Sequence, residues 1–467
     1  TQTISAAIRA RKDITVTHQT STIMHGWRQG YSLDIAAACD YTSGDFYGGK
    51  YQHIIGSKVL AGASNRLPFE FMTSRCVNLR DHTSMKSEAE MTCEAACTLA
   101  SGGAFFFIDA INPDGTLEPT VYDRLGCVSR RLAPFTAAIK RHRPRLHADT
   151  AFYFSPVNFV DAKQDSEIMS PSGNIPAVEE LTGTSIVLSR AHRPFRVVTP
   201  TTADWSGLTT LILNNVRYTT EAENERLRGF VRSGGTLIAT GWSTLFDCNG
   251  NRREDFGLAD VFGVSAVAGQ SKRFHYLSFR ERHELVASHA PGALVHGAGA
   301  TVLAGINEPL FDPDAEEYAS IHSNPPGRDT EFAGLTLNRF GEGTCIYLAS
   351  PVLSLRQDAQ QAFAARLLAE HAPGGVILDT NAPPAVEMTV LRSTTADAWL
   401  LALVNYQLEL PNVPGRELTV TVALPDAWRP TTARLVSTGA DLPWCVRNGA
   451  LSVTIPCLET LEMVEFR

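Results

Sequence analysis

Two carboxylates stand in settings suited to acid–base chemistry. Glu70 lies between Phe69 and Phe71 inside the apolar run Pro68 to Ser74. A carboxylate is costly to bury ionised among rings. A carboxyl held protonated near neutral pH is the general acid that glycosidic cleavage needs. The competing reading of Glu70 is a strand-lining ion pair with an inward Arg or Lys. Asp45 lies within Ser43 to Gly49, beside Phe46 and Tyr47 and flanked by glycines. A carboxylate accepts hydroxyl hydrogen bonds and an aromatic ring packs a pyranose face, so Asp45 and Tyr47 are candidate sugar contacts. The competing reading is an ordinary Asp-containing turn.

These residues fall at or near the ends of strand-like runs. Asp13 to Thr20, Cys39 to Asp45, Pro68 to Ser74 and Ala104 to Asp109 read as four strands, the last apolar enough for burial on both faces. Lys86 to Ser101 reads as a helix capped by Ser87 and stopped by Gly102 and Gly103, and Pro119 to Arg141 as another. Four β/α units are half of an eight-fold barrel, whose chemistry lies at the carboxyl ends of its strands. His18, Asp45, Tyr47, Glu70, Ser74, Arg75, His82 and Asp109 are then the polar residues to consider. His18 can equally be a satisfied core histidine, and Arg75 with His82 a structural charge pair. Cys93 and Cys97 face the core of one helix. With no second ligand pair at the right spacing, no metal site is expected. No phosphate-binding loop or dinucleotide fingerprint is present, and no cofactor is expected.

The 467 residues are 44% hydrophobic and 19% charged, with a formal net charge of −8. No basic stripe suggests nucleic acid, and no apolar run approaches the ~18 residues of a membrane span. The N-terminus resembles neither a targeting segment nor an initiator region, and reads as the end of a helix already begun. Nine cysteines without regular spacing argue against a disulfide framework and for a reducing, cytoplasmic setting.

The pattern divides the chain into three domains. Residues 1–143 read as the C-terminal half of a (β/α)8 TIM barrel, followed by a basic linker, Arg141 to Arg145. Residues 144–378 read as an open, doubly wound α/β domain. Its clearest unit is the strand Leu208 to Asn215, a helix from Thr219 or Thr220 to Ser233, and the strand Thr236 to Thr240. Residues 379–467 carry strands separated by Pro, Gly and Asn, which suggests an antiparallel β-sandwich.

Two stretches resemble known families. Phe69 to Arg75, Asp81 with His82, Lys86 with Ser87, Gly102 with Gly103, and Pro113 to Thr116 resemble in order and spacing the second half of the barrel of family 29 α-L-fucosidases. The resemblance gives Glu70 the role of general acid/base in a retaining mechanism and puts the nucleophile on an earlier strand, upstream of Thr1. Leu208 to Gly263 resembles the flavodoxin-like trimerisation domain of family 42 β-galactosidases, and the resemblance implies a homo-oligomer such as a trimer. The combination is most similar to α-L-fucosidases of glycoside hydrolase family 151. It departs from family 29 at Phe69, where Trp is usual, and over Leu79 to Ser84. Two alternatives remain: a β-galactosidase of the family 42 type, against which stands Thr73 near that family's nucleophile position, and a non-catalytic carbohydrate-binding or scaffold protein with a decayed barrel.

Overall fold

The computed structural model describes residues 1–20, 32–77, 84–159, 176–354, 357–423, 425 and 428–467. His82 lies outside them.

The N-terminal part carries α1 (Gln2–Arg9), α2 (Leu33–Ala38), β1 (Ser43–Asp45), α3 (Lys50–Ala63), β2 (Glu70–Ser74), α4 (Glu88–Ala100), β3 (Ala104–Ile108) and α5 (Pro119–His142). The three strands are parallel and lie side by side in chain order. The Ser87 side chain caps α4 as its sequence suggests, accepting from the Glu90 N–H. Gly102, at φ +83, turns the chain out of that helix. The strand expected over Asp13 to Thr20 is reduced to a single parallel bridge between Gln19 and Ser43. Side chains supply what a ladder would: Asp40 accepts from the Val16 N–H and Cys39 Sγ from that of His18.

The middle part runs through β4 (Arg145–His147), β5 (Thr150–Tyr153), α6 (Pro176–Arg190), β6 (Phe195–Val198), β7 (Thr210–Leu213), α7 (Glu221–Arg232), β8 (Thr236–Thr240) and α8 (Ala259–Phe262). It continues with β9 (Val264–Gln270), β10 (His275–Phe279), β11 (Glu284–Ser288), β12 (Ala293–Gly297), β13 (Thr301–Pro309), β14 (Pro326–Phe340), β15 (Gly343–Leu348) and α9 (Asp358–His371). Thr220 and Glu223 form a reciprocal capping box at the start of α7, which satisfies two otherwise orphaned N–H groups. One nine-stranded sheet has the order β11-β10-β13-β14-β15-β8-β7-β5-β6. From β15 to β6 it is parallel. Taken in chain order, those five strands stand 2-1-3-4-5. Both faces are covered, so alternate residues enter different cores: Phe152, Ile212 and Ile238 one, Ala151, Leu211 and Leu237 the other. The pattern reading anticipated parallel strands only. The antiparallel extension β10, β11, β13 and β14 corrects it.

The last part holds β16 (Ile377–Thr380), β17 (Val386–Arg392), β18 (Trp399–Asn405), β19 (Gly415–Ala423), β20 (Ala433–Leu435), β21 (Trp444–Arg447), β22 (Ala450–Leu458) and β23 (Leu461–Phe466). Two antiparallel sheets, β16-β19-β22-β21 and β20-β23-β18-β17-β4, enclose a core of Val386, Leu401, Val420, Val453 and Val464. The edge strand β4 comes from the segment expected to be a linker. The helix α5 instead runs to His142, Arg143 leaves it at φ 41, and Arg145 pairs with Arg392. His142 is buried because Ser393 and Glu465, far along the chain, bond its two ring nitrogens at 3.1 and 3.0 Å.

The three parts share one core, which includes Phe71 and Leu99, Phe195 and Ile212, and Leu400 and Met463. At their junction Lys58 of α3 pairs with Glu387 of β17, both nearly without solvent contact. The Lys58 ammonium also lies 3.7 Å from the centroid of the Phe195 ring of β6. Gly62 lets α3 approach β6 closely: a Cβ there would collide with the Val197 carbonyl. Truncating one member of a buried ion pair strands the other charge, at a cost of about 3–5 kcal/mol. Lys58→Ala is therefore expected to lower the free energy of unfolding by about that amount in urea titrations. Lys58→Met with Glu387→Leu should recover most of the loss. Equal instability of the single and double variants would show that packing, not charge, dominates at this junction.

Candidate active site at the strand ends

Parallel β/α units present their strand-to-helix loops at one end of the sheet, and β1, β2 and β3 end there on Asp45, Ser74 and Ile108. Asp45 accepts from the Gln19 side-chain amide on one oxygen and from the Tyr47 hydroxyl, at 2.6 Å, on the other. Burial, then the bond to Asp45 and its charge, push the Tyr47 hydroxyl well above its usual range, so it remains a donor. Arg75, just past β2, donates from Nε to Asp109 Oδ1 at 2.7 Å. Burial alone would raise the Asp109 carboxyl. The Arg75 hydrogen bond, the Ala110 N–H, the Arg75 charge and the Tyr122 hydroxyl outweigh it and hold the carboxyl low.

Under this end lies a buried polar group. After β2 the chain returns to Arg75, whose carbonyl accepts from the Lys86 N–H at 2.9 Å. The Lys86 ammonium bonds Glu94 of α4 at 2.6 Å, and His53 Nε2 of α3 stands 3.7 Å from the same carboxylate oxygen. Burial pushes the Glu94 carboxyl up to about 7 against the pull of Lys86. Burial likewise pushes His53 down to about 4.

The expected site residues separate. Asp45 and Tyr47 are together, as anticipated. Arg75 is an ion-pair residue, but with Asp109, and at 3% exposure its guanidinium is not presented to a ligand. His18 bonds Ser5 Oγ of α1 at 2.8 Å and takes no part in the group around Asp45. Glu70 is the first residue of β2, paired with the first residues of β1 and β3. It is at the opposite end of the strand from Ser74, about 13 Å away at ~3.3 Å per residue. Its carboxylate accepts from Ser43 Oγ at 2.7 Å. Alternation puts Phe69 and Phe71, both fully buried, on the other face. Phe71 packs there against Phe46 and His53, so the expected aromatic enclosure of Glu70 is absent. Sequence reasoning missed Gln19 and Tyr122. Gln19 could have been found as the residue level with Ser43 in a parallel register; Tyr122, in the first turn of α5, carries no signal of its own. Among the described residues no group of three or more His, Cys, Asp or Glu side chains is placed to hold a metal ion, and no helix is long and apolar enough to cross a membrane.

The family model of the β-galactosidase trimerisation domain matches residues 190–372. No curated protein matches the chain. Among solved structures, α-L-fucosidase isoenzyme 2 from Paenibacillus thiaminolyticus superposes with a TM-score of 0.77 at 18% identity, over 100% of this chain and 70% of that one. A β-galactosidase from Bacillus circulans sp. alkalophilus gives 0.71 at 18% identity, over 98% and 64%. One from Rahnella sp. gives 0.63 at 17%, over 93% and 61%. The chain thus spans under two thirds of each of these two β-galactosidase chains. It has a mixed α/β fold with many sheets, like these glycosidases, and a β-rich C-terminal part.

The polar group under the strand ends has an opposed pH signature. The usual Glu value is 4.5 and the folded value of Glu94 about 7, so its contribution is complete below 4.5 and is lost as pH rises through 7. The usual His value is 6.5 and the folded value of His53 about 4, so its contribution is present above 6.5 and is lost as pH falls through 4. Between 4.5 and 6.5 the two oppose each other. Glu94→Gln is expected to give unfolding free energies that climb more steeply with pH in that window than those of wild type. A parallel profile in urea titrations at several pH values would refute the assignment.

Proposed function

We propose that the chain is part of an O-glycosidase whose active site opens at the carboxyl ends of β1, β2 and β3. The observation that carries this reading is Asp45: a carboxylate at a strand end, oriented through both oxygens by Gln19 and Tyr47, in the setting where barrel enzymes do their chemistry. Residues 1–143 are read as the C-terminal half of a TIM barrel and 379–467 as a β-sandwich. Residues 144–378 are read as a flavodoxin-like domain, supported by the 2-1-3-4-5 order of its parallel strands. Retaining cleavage uses two carboxyl groups about 5–5.5 Å apart. Asp45 is proposed as one of them, since Asp109 is committed to Arg75. Glu70, first assigned the acid/base role, has weaker support because of its place at the amino end of β2. The substrate proposed is an α-L-fucoside, after the α-L-fucosidase that matches the whole length of this chain. The trimerisation-domain match favours a second reading, a β-galactoside.

The test is turnover of aryl α-L-fucosides and aryl β-galactosides by this chain and by a form extended at its N-terminus to complete the barrel. The chain alone is expected to be inactive and to self-associate through the open edges of its short sheet. In the extended form, Asp45→Asn should reduce kcat by about 10²–10⁴-fold, and Glu70→Gln should change it by no more than a few-fold. The reverse pattern would return the central role to Glu70. Full activity in both variants would refute the site. The extended form should also show the mass of a trimer in light scattering at micromolar concentration; a monomer would refute that part of the reading.

A further inference from the structure

On the antiparallel extension of the large sheet, remote in sequence from the strand ends, the segment between β13 and β14 folds back over β10. Together with His289 they line an open cavity of about 510 Å³, bounded by Phe274, Tyr276, His289, Tyr318, His322 and Asn324. That volume is in the range of small-molecule sites, ~300–1,000 Å³. The Phe274 ring is held between two others: Tyr276 at 5.1 Å and 83°, and His289 at 5.1 Å and 79°. Tyr276 is in turn fixed by its hydroxyl, which donates to the Asn324 carbonyl at 2.6 Å. Tyr318 and His322 on the covering segment are exposed. Asn324 Oδ1 is shielded from solvent and has no hydrogen-bond partner among the described residues.

The nearby charges balance. Arg273 bonds the Pro313 carbonyl at 2.9 Å and lies 3.6 Å from Asp314, and Lys272 is paired with Asp312 at 2.7 Å. A neutral ligand therefore fits better than an ion. It should offer an apolar face to pack on fixed rings and hydroxyls for His289 and His322. A pyranose ring has that combination.

We propose that this cavity is a non-catalytic binding site for a neutral hexopyranoside, separate from the site around Asp45. The choice of a saccharide rests on the chemistry of the cavity and holds whatever bond the strand-end site cleaves. Saturation-transfer NMR on the full chain, with methyl β-D-galactopyranoside and methyl α-L-fucopyranoside at millimolar concentration, tests it. Signal transfer to the ring protons of at least one sugar is expected from wild type. It should persist in Asp45→Asn and be lost in Tyr318→Ala and in His322→Ala. Both of those side chains are exposed, and far-UV circular dichroism should confirm that the fold is unchanged. Transfer to neither sugar would overturn the proposal. So would transfer that survives Tyr318→Ala, and transfer lost only in Asp45→Asn would assign binding to the strand ends instead. Absence of transfer, with dissociation of an oligomer on Tyr318→Ala, would make the patch a subunit contact and equally overturn it.

Discussion

The buried pair of Lys58 and Glu387 ties together parts of the chain that otherwise have separate patterns. A lysine with no solvent contact is tolerable only if its charge is met, and here a carboxylate from β17 and the face of Phe195 meet it from two other elements. α3 can lie no other way without leaving the ammonium unpaired. Because α3 also backs β2 through Phe71, Phe46 and His53, the strand ends that hold Asp45 and Arg75 are referenced to the sandwich and the large sheet, and not merely to their own short one.

The neighbouring contacts repeat this arrangement. His192 directs one ring nitrogen to the Val386 carbonyl and the other to that of Ala382, at 3.0 and 2.9 Å, and the Lys50 ammonium donates to the Ala385 carbonyl at 2.7 Å. Two side chains, one from each of the first two parts, thus meet the turn before β17 and its first residue with three hydrogen bonds. They add donors to the backbone carbonyls of this turn, where the Ala385 carbonyl also accepts from the Tyr406 N–H; proteins rarely leave such buried groups unpaired. The apolar core around this turn runs without a break from Phe71 to Met463, and it leaves little room for these parts to move as independent bodies.

The elements legible in the sequence were those whose signals are local. Ser87 and Gly102 bound α4, and Thr220 and Glu223 cap α7. Asp45 and Tyr47 were legible because they lie two residues apart. The rest depended on partners distant in sequence. His142 and Arg145 looked like a linker because Glu465 and Arg392, which bury and pair them, come more than two hundred residues later. The aromatic enclosure expected around Glu70 fails for a geometric reason: adjacent residues of a strand occupy opposite faces, so Phe69 and Phe71 pack on the helix side and leave the carboxylate on the other. The extension of β10, β11, β13 and β14 was missed because half-exposed antiparallel strands such as β14, fifteen residues long, lack the continuous apolar runs that mark β5 and β7.

The pairing of β4 with β17 also sets an order of events during synthesis. Leu146 leaves the ribosome long before Leu391, its partner across the ladder. At roughly 5–20 residues per second the wait is on the order of tens of seconds. Throughout that interval the β4 edge has no strand partner, and the acidic residue that receives His142 does not yet exist. The nascent chain must therefore carry an unsatisfied strand edge until β17 emerges. β17 covers that edge, and Leu461 to Phe466 then add β23 on the far side of β18. Until β23 arrives, Glu465 is missing and the His142 ring lacks its acidic partner.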